Sequence, residues 1–276
     1  MTALPQTPPA GPLPLLRAAH IGPGLAVTCI VALLAVGRHL DPGFGTLVTA
    51  AVFAGQLTIG WGNDLVDSAR DRTVGRADKP LATGEVSRQL VLTCLTVAAV
   101  ACVALSLLAG WRSGVVHLGL GVASGHAYNL GLKATAWSWA PYAVAFGTLP
   151  AVVSLAGDAP AWPPPWMIGT AALLGVAGHV LNALPDVADD LATGVRGLPH
   201  RLGATPSRVL AAGLLVLGSA IAVLGPAGSP EPWAWVALAV AVVLGVVAML
   251  GRGKVPFYAA IAVALVDVVL LVAVGS

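Results

Sequence analysis

Long apolar segments separated by short polar breaks dominate this chain. A helix needs about 20 mostly apolar residues to cross a hydrocarbon layer near 30 Å thick, and nine segments come close to that length. The nine segments run from Gly22 to Gly37, Phe44 to Leu65, Leu90 to Ala109, Val115 to Leu132, Ala136 to Ala156, Trp166 to Leu184, Val209 to Leu224, Trp233 to Leu250 and Val255 to Val274. The pattern predicts an all-α membrane protein with nine transmembrane helices.

The composition agrees with a lipid environment. Hydrophobic residues make up 57% of the 276 residues and charged residues only 9%, against roughly 25% charged in soluble domains. A net charge of +2 without a basic run argues against a nucleic-acid partner. The three cysteines, Cys29, Cys94 and Cys102, fall inside apolar segments without metal-ligand spacing, so we interpret them as packing residues.

The first residues differ from the rest of the chain. Residues 1–14 are rich in proline and carry no basic residue before an apolar stretch, which is not typical of a cleavable signal peptide. We therefore expect a disordered tail over 1–14 and a single intramembrane domain over 15–276. The first apolar segment is short unless it extends toward Leu16.

The basic residues predict an orientation. Cytoplasmic loops of membrane proteins carry an excess of lysine and arginine. With nine spans and a cytoplasmic amino terminus, twelve of the 14 basic residues lie inside and two, Arg38 and Arg112, lie outside. This distribution predicts a multi-pass protein of the cell membrane whose carboxyl terminus lies outside.

One polar frame occurs twice, near the ends of the second and sixth segments. Asn63, Asp67 and Asp71 follow the spacing Asn-x3-Asp-x3-Asp, and the frame returns 119 residues later. The second copy consists of Asn182, Asp186 and Asp190. Residues four apart lie along one stripe of a helix, so each set should face one direction, with Asp64 beside the first stripe. The repeat indicates duplication of a four-helix unit.

These frames concentrate negative charge at the membrane edge. Seven of the twelve acidic residues, Asp64, Asp67, Asp71, Asp78, Asp186, Asp189 and Asp190, lie in or just beyond them. Clustered carboxylates repel one another unless cations neutralise them. Mg²⁺ takes oxygen ligands and commonly binds through one or two carboxylates together with substrate phosphates. The cluster therefore predicts a magnesium–diphosphate site.

Each acidic stripe is followed by a basic loop. Arg72, Arg76 and Lys79 follow the first stripe, and Arg196 and Arg201 follow the second. Guanidinium and ammonium groups bind phosphate oxygens and stabilise a departing diphosphate. A lone aspartate at a membrane interface is commonly just a solvated helix end. The repetition of the frame, with a basic loop on the same side each time, favours function over that interpretation.

The two frames resemble the aspartate-rich motifs of the UbiA-type intramembrane prenyltransferases, N-D-x-x-D-x-x-x-D and D-x-x-x-D. Asn63, Asp64, Asp67 and Asp71 match the first motif, and Asp186 and Asp190 match the second. The loop Arg76-Ala77-Asp78-Lys79-Pro80-Leu81 is similar to the family's basic-proline-leucine loop, and Tyr128 and Lys133 resemble its Y-x-x-x-x-K element. The resemblance covers nearly the whole chain.

The resemblance implies a bundle of nine helices around a central cavity, capped by cytoplasmic loops, in which magnesium bridges an isoprenyl diphosphate to both motifs. It implies metal ligation by Asn63, Asp67, Asp71, Asp186 and Asp190, supported by Asp64. It also implies diphosphate binding by Arg76, Lys79 and Lys133, joined by Arg72 and Arg196, and contact of Tyr128 with diphosphate or acceptor. The second loop, Gly194-Val195-Arg196-Gly197-Leu198-Pro199, departs from the lysine-serine-threonine type of hydroxybenzoate enzymes, which leaves the acceptor open.

Two enzyme functions remain as alternatives. The first is transfer of an isoprenyl group from an allylic diphosphate to an aromatic or other lipid-soluble acceptor, and the second is terpene cyclisation in the same fold. The chain has only 15 aromatic residues, eight of them tryptophans near span ends, which favours the transferase. A transporter would need neither acidic stripe, and the chain lacks the D-G-x-x-A-R element of a CDP-alcohol phosphotransferase.

Several intramembrane polar residues have no assigned role. Gln56 and His179 precede Asn63 and Asn182 on their stripes and are candidates for lining an acceptor pocket. His126, close to Tyr128, is a candidate for the reaction centre. Asp267 lies within the last apolar segment and requires a partner that the sequence does not identify.

Overall fold

The computed structural model describes residues 11–275, and the secondary structure in this part of the chain is entirely helical. Its elements in chain order are α1 (Pro12–Ala18), α2 (Ile21–Gly37), α3 (Pro42–Thr73), α4 (Pro80–Thr83), α5 (Arg88–Leu108), α6 (Trp111–Val116), a π-helical turn (His117–Val122), α7 (Ala123–Leu130), a 3-10 turn (Leu132–Ala134), α8 (Ala140–Gly147), α9 (Leu149–Ser154), α10 (Pro165–Ala183), a second 3-10 turn (Leu184–Asp186), α11 (Val187–Ala192), α12 (Leu198–Leu202), α13 (Ala204–Leu224), α14 (Pro232–Leu250) and α15 (Val255–Gly275). Residues 1–10 of the predicted tail lie outside the described residues. Residues 12–14, the last part of the predicted tail, belong to α1.

Helical structure occurs at every one of the nine predicted positions within residues 11–275. By length and composition alone, five helical stretches there can cross a membrane: Pro42–Thr73, Arg88–Leu108, Pro165–Ala192, Ala204–Leu224 and Pro232–Leu250. A sixth arises if α1 and α2, which meet at a bend of 73°, form one broken span. Two of the other predicted positions hold interrupted helices, since a π-helical turn separates α6 from α7 and Thr148 separates α8 from α9. The last predicted position holds α15.

Local sequence explains where the main helices begin and break. Asp41 caps α3 by accepting the backbone N–H of Gly43 at 2.8 Å, with Pro42 as its first residue, and Ser87 caps α5 through the N–H of Leu90. Pro150 has no N–H to donate, in keeping with the break between α8 and α9. Pro185 has the same effect within the second frame, where α10 passes into a 3-10 turn.

The exposed surface of several helices is apolar. Val97, Val100 and Val103 of α5 are exposed, and so are Val236 and Val243 of α14. Exposed apolar stripes of this extent suit contact with lipid rather than water. These stripes and the apolar helices make the chain a multi-pass membrane protein.

The packing order repeats along the chain. In the first half α2 packs on α3, α3 on α5 and α5 on α6, and in the second half α8 packs on α10, α10 on α13 and α13 on α14. This correspondence agrees with the predicted duplication, since α3 and α10 carry the two copies of the frame. Contacts of α15 with both α2 and α10 join the halves into a ring.

Candidate active site

A cavity of about 320 Å³ lies inside this ring. Helices α2, α3, α7, α8, α10 and α15 line it, together with the loops that follow α3, α7 and α11. Asn63, Asp67 and Asp71 line one side, and Asn182, Asp186 and Asp190 also face it. The prediction that each frame forms a stripe facing one direction is therefore confirmed, and the fold brings the two stripes to one space.

The first stripe lies on the last turns of α3, beyond the apolar part of that helix. Asn63 donates its side-chain N–H to Asp67 at 3.0 Å and to the side-chain oxygen of Asn129 at 3.1 Å. Asn129 in turn donates to the Ile59 carbonyl at 2.9 Å, which ties α7 to α3. Asp67 and Asp71 are both about 5% exposed or less, so their carboxylates are withdrawn from bulk water.

The second stripe is less buried and is shaped by the break in its helix. Asn182 lies in the last turn of α10, Asp186 ends the 3-10 turn, and Asp190 lies in α11. His200 of α12 approaches Asp190, with Nε2 3.1 Å from its carboxylate. The side chain of Asp186 is 46% exposed, so this stripe lies nearer the mouth of the cavity.

Basic residues lie between the carboxylates. Lys133 Nζ is 2.6 Å from Asp67 Oδ2, and Arg70, one turn after Asp67, contacts the same carboxylate at 2.9 Å. Arg76 follows the first stripe in the chain and reaches the second, with its guanidinium 3.5 Å from Asp186 and 3.8 Å from Asp189. The cavity end that carries both stripes therefore alternates negative and positive groups.

Arg76 is held in place by its neighbour Asp78. Two hydrogen bonds of 2.8 and 2.9 Å join the guanidinium to the Asp78 carboxylate. They lower the pKa of Asp78 to about 2, and the same hydrogen bonds raise the pKa of Arg76 above its ordinary value. Both groups stay charged at any physiological pH, so the guanidinium keeps its direction toward the second stripe.

Asp64 supports the site from behind. It is 1% exposed and does not line the cavity; its carboxylate accepts a hydrogen bond of 2.9 Å from Lys79 Nζ. Lys79 does line the cavity and also lies 2.8 Å from His20 Nε2. Asp64 thus orients Lys79 toward the cavity.

Two predicted diphosphate-binding residues do not reach the cavity. Arg72 and Arg196 are exposed, and neither residue lines the cavity. Arg72 lies one residue beyond the cavity-facing Asp71, and a helix turns each successive residue by 100° away from that stripe. The backbone carbonyl of Arg196 accepts a hydrogen bond from Arg201, which fixes the loop rather than a ligand.

Tyr128 belongs to an aromatic cluster in the cavity. Its ring centroid lies 5.1 Å from that of Tyr142, edge to face, and Phe146 stacks on the far side of Tyr142. These three rings line the cavity, and Phe257 of α15 adds a fourth. The expectation of few aromatic faces is therefore wrong: the tryptophans lie elsewhere, but tyrosine and phenylalanine converge from α7, α8 and α15.

The structure places the other polar candidates in different surroundings. Gln56 lines the cavity, whereas His179 lies behind the tyrosines, 4.6 Å from the Tyr142 ring, and its Nε2 is 3.0 Å from the Ser138 hydroxyl. His126 Nε2 lies 3.3 Å from the Thr58 hydroxyl, outside the cavity wall. Asp267 accepts a hydrogen bond of 2.9 Å from Ser219, which supplies the partner that the sequence left unidentified.

Comparison with known proteins identifies the family. The family model described as the UbiA prenyltransferase family matches residues 24–256, which is most of the chain. The protein belongs to the UbiA prenyltransferase family. No curated protein sequence matches the chain.

Solved structures of UbiA homologues share this fold. A UbiA homologue from Archaeoglobus fulgidus bound to GPP and Mg²⁺ superposes with a TM-score of 0.71 at 16% identity, covering 95% of this chain and 99% of that one. The apo UbiA homologue from Aeropyrum pernix K1 gives a TM-score of 0.74 at 17% identity, with 92% and 98% covered. A structure of digeranylgeranylglyceryl phosphate synthase in membranes gives 0.66 at 17% identity, with 95% and 98% covered. At these identities the likeness establishes the fold.

The donor atoms of this UbiA chain fit a magnesium ion shared with a ligand. Across residues 11–275, no three Asp, Glu, His or Cys side chains form a complete metal-binding group, because Lys133, Arg70 and Arg76 lie between the carboxylates. Asp71, buried and cavity-lining, forms no ion pair with any described residue. Mg²⁺ keeps several waters and takes few protein oxygens. An all-oxygen set with one unpaired carboxylate suits such an ion.

Sequence reasoning missed four residues of this UbiA site. Arg70 has a recognisable signal, since it is one helical turn from Asp67. His20, Asn129 and His200 touch the motifs only through tertiary contacts across many residues, and no local spacing marks them. His20 lies in the break between α1 and α2, where its left-handed conformation, φ 52°, turns the chain toward Lys79.

Proposed function

We propose that this protein is a Mg²⁺-dependent intramembrane prenyltransferase, which transfers an isoprenyl group from an allylic isoprenyl diphosphate to an aromatic or other lipid-soluble acceptor. One observation carries the proposal: both acidic stripes and four basic side chains meet at one end of a cavity whose other end is apolar and aromatic. That polarity matches a substrate with a diphosphate head and a hydrocarbon tail. Membership of the family and the GPP and Mg²⁺ bound to the Archaeoglobus fulgidus homologue support it.

The polar end holds the diphosphate in this proposal. Asn63, Asp67, Asp71, Asp186 and Asp190 provide oxygens for magnesium, which neutralises the diphosphate charge when bound. Arg76, Lys79 and Lys133 donate N–H groups to diphosphate oxygens, because each already points into the cavity. Charge-assisted hydrogen bonds of this kind strengthen as negative charge develops on the leaving group.

The reaction exchanges one bond for another. The C1–O bond of the donor breaks and the diphosphate leaves with the electron pair. A nucleophilic atom of the acceptor supplies the pair for the new bond to C1, and the proton that the acceptor loses is taken up by the released diphosphate. Tyr128, Tyr142 and Phe146 present π faces and edges beside the cavity and keep water from the cation.

The membrane arrangement is part of the same proposal. We infer nine spans, with the interrupted pair α6–α7, the pair α8–α9 and α15 each counted as one crossing, and with the motifs at the cytoplasmic face. The amino terminus then lies inside and the carboxyl terminus outside. Support comes from the twelve basic residues on the side of the motifs against two on the other.

Terpene cyclisation is the second candidate, and the aromatic cluster favours it. The π faces of the four rings in the cavity wall can stabilise an allylic cation while a double bond of the same chain attacks it. The two functions differ in whether a second molecule is needed. Both start with magnesium-dependent loss of diphosphate.

The rate at which the purified protein releases diphosphate from an isoprenyl diphosphate distinguishes the transferase from the cyclase. The protein is given geranyl, farnesyl or geranylgeranyl diphosphate with Mg²⁺, with and without a lipid extract of the cells that carry the gene. We expect slow release alone, faster release with extract, a prenylated extract component, and no release after chelation of Mg²⁺. Rapid release without extract, with formation of a cyclic hydrocarbon, would replace the transferase by the cyclase.

A further inference from the structure

Gln56 is the one amide in the cavity wall on the membrane side of the motifs, among the residues the structure describes. It lies on α3 seven residues before Asn63, a separation of about 10 Å along a helix. Its neighbours in the wall include Pro23 and Gly24 of α2 and Ile59 of α3, all of them uncharged. A partly buried amide that faces the cavity can form hydrogen bonds with a polar group of a ligand held there.

The structure provides the amide with no internal partner. Within residues 11–270, no hydrogen bond joins the Gln56 side chain to another group, although Thr58 on the same helix bonds to the Gly55 carbonyl. Gly24 packs beside it, since a Cβ added there would lie 3.3 Å from the Gln56 Cβ. This close approach of α2 fixes the base of the side chain and leaves the amide toward the cavity.

Every basic group in the cavity wall is already matched to a carboxylate. Lys133 and Arg70 lie against Asp67, and Lys79 lies against Asp64. The other two basic groups in the wall are also paired with carboxylates: Arg76 contacts Asp78 at 2.8 Å, and His20 lies 3.6 Å from Asp64. The proposed function already assigns Arg76, Lys79 and Lys133 to the diphosphate, and Arg70 and His20 lie at the same end of the cavity, so no basic side chain of the described cavity wall lies on the membrane side of the motifs beside Gln56.

We propose that the acceptor is a neutral lipid-soluble molecule that presents a hydroxyl or carbonyl group to the Gln56 amide. The proposal rests on the proposed prenyltransferase function and names the class of its second substrate. An amide both donates and accepts hydrogen bonds, so it recognises a neutral polar group without a charge. A carboxylated acceptor would instead bury an unpaired negative charge beside apolar α2, which is strongly unfavourable.

The first test uses the wild-type protein and fractions of the lipid extract. The extract is separated on an anion exchanger into neutral and anionic lipids, and each fraction is added to protein, geranylgeranyl diphosphate and Mg²⁺. We expect the neutral fraction to accelerate diphosphate release and to yield the prenylated product. Acceleration by the anionic fraction alone would overturn the proposal while leaving the transferase function intact. Acceleration by neither fraction would reject the transferase function itself, and the acceptor class with it.

The second test concerns Gln56 directly. Gln56→Leu keeps the size of the side chain and removes its hydrogen bonds, so the half-saturating amount of the neutral fraction should rise about tenfold, the equivalent of one hydrogen bond. The KM for the isoprenyl diphosphate should stay unchanged, which also shows that the variant is folded. Gln89→Leu, at an exposed glutamine of α5, is the matched control and should change neither value. An unchanged response of Gln56→Leu to the neutral fraction would refute the role of Gln56.

Discussion

At the scale of single residues, Asp67 is the carboxylate in the cavity wall that three other side chains contact. Lys133, Arg70 and Asn63 all contact its carboxylate, at distances between 2.6 and 3.0 Å. Two cations and an amide therefore balance one carboxylate before any ligand binds. Asp71, one turn further on, has no such partners among the described residues. A metal would therefore compete with two cations for Asp67 but with none of them for Asp71.

Asp67→Asn tests this arrangement. The substitution removes a negative charge and leaves Lys133 and Arg70 without their counter-charge, so turnover should fall by at least about 100-fold. Diphosphate release at saturating Mg²⁺ measures the effect, and thermal unfolding checks that the protein is folded. Asp158→Asn, at an exposed aspartate in the loop after α9, is the control and should retain normal turnover. Near-normal activity of Asp67→Asn would contradict the shared metal site.

The carboxylates of the site could be predicted because local spacing marks them, whereas Lys133 was indicated by its match to the family's Y-x-x-x-x-K element. Asn63, Asp67 and Asp71 repeat at four-residue intervals, which fixes their common face on any helix. The contacts of Asn129 with Asn63 and of His200 with Asp190 depend on how distant segments pack, and spacing carries no such information. Composition also misled: a low aromatic content did not reveal that several of the few tyrosines and phenylalanines face one cavity.

At the scale of elements, the positions of helices followed from apolar length, but the interruptions that contain no proline did not. The π-helical turn at His117–Val122 contains no proline that would have marked it, and buried His117 there lies 2.8 Å from the Ser106 hydroxyl of α5. The bend between α1 and α2 likewise depends on tertiary packing. It brings the backbone of Ala19 against α3 at Gly60, next to His20 and the first motif.

Gly60→Ala tests the importance of that close approach. A Cβ at Gly60 would lie 2.0 Å from the Ala19 carbonyl oxygen, and backbone cannot move aside as a flexible side chain can. We expect a lower midpoint of thermal unfolding, from overpacking of about 1–3 kcal/mol, and a raised KM for the isoprenyl diphosphate as His20 and Lys79 shift. Intrinsic fluorescence during heating in detergent measures the midpoint.

Gly169→Ala is the control for this substitution. Gly169 lies within α10, and a Cβ there would meet nothing within 4 Å. Alanine is a better helix former than glycine by roughly 1 kcal/mol, so Gly169→Ala should leave stability unchanged or raise it. If Gly60→Ala were as stable as Gly169→Ala, the packing of α1–α2 on α3 would not be as tight as the structure indicates.

At the scale of the whole molecule, the two ends of the bundle differ in charge. The loops after α3, α7 and α11 meet around the mouth of the cavity, where Arg76 reaches Asp186 and Lys133 reaches Asp67. At the other end, the Gly157 N–H donates to the Ala109 carbonyl at 2.9 Å, and a Cβ at Gly157 would lie 3.1 Å from Leu40. Four of the residues predicted to be cytoplasmic, Arg70, Arg76, Lys79 and Lys133, thus line the cavity.

Single-cysteine labelling determines which end faces the cytoplasm. In a background with Cys29→Ser, Cys94→Ser and Cys102→Ala, Arg196→Cys probes the cavity end and Asp158→Cys probes the other, and both positions are exposed. Because basic loops are retained inside, an impermeant thiol reagent applied to intact cells should label Asp158→Cys and leave Arg196→Cys unlabelled. Arg196→Cys should become labelled once the cells are permeabilised, which shows that the site itself is reactive. Labelling of Arg196→Cys alone in intact cells would place the cavity mouth outside and reverse the proposed topology, with the diphosphate substrate then having to arrive from the opposite face.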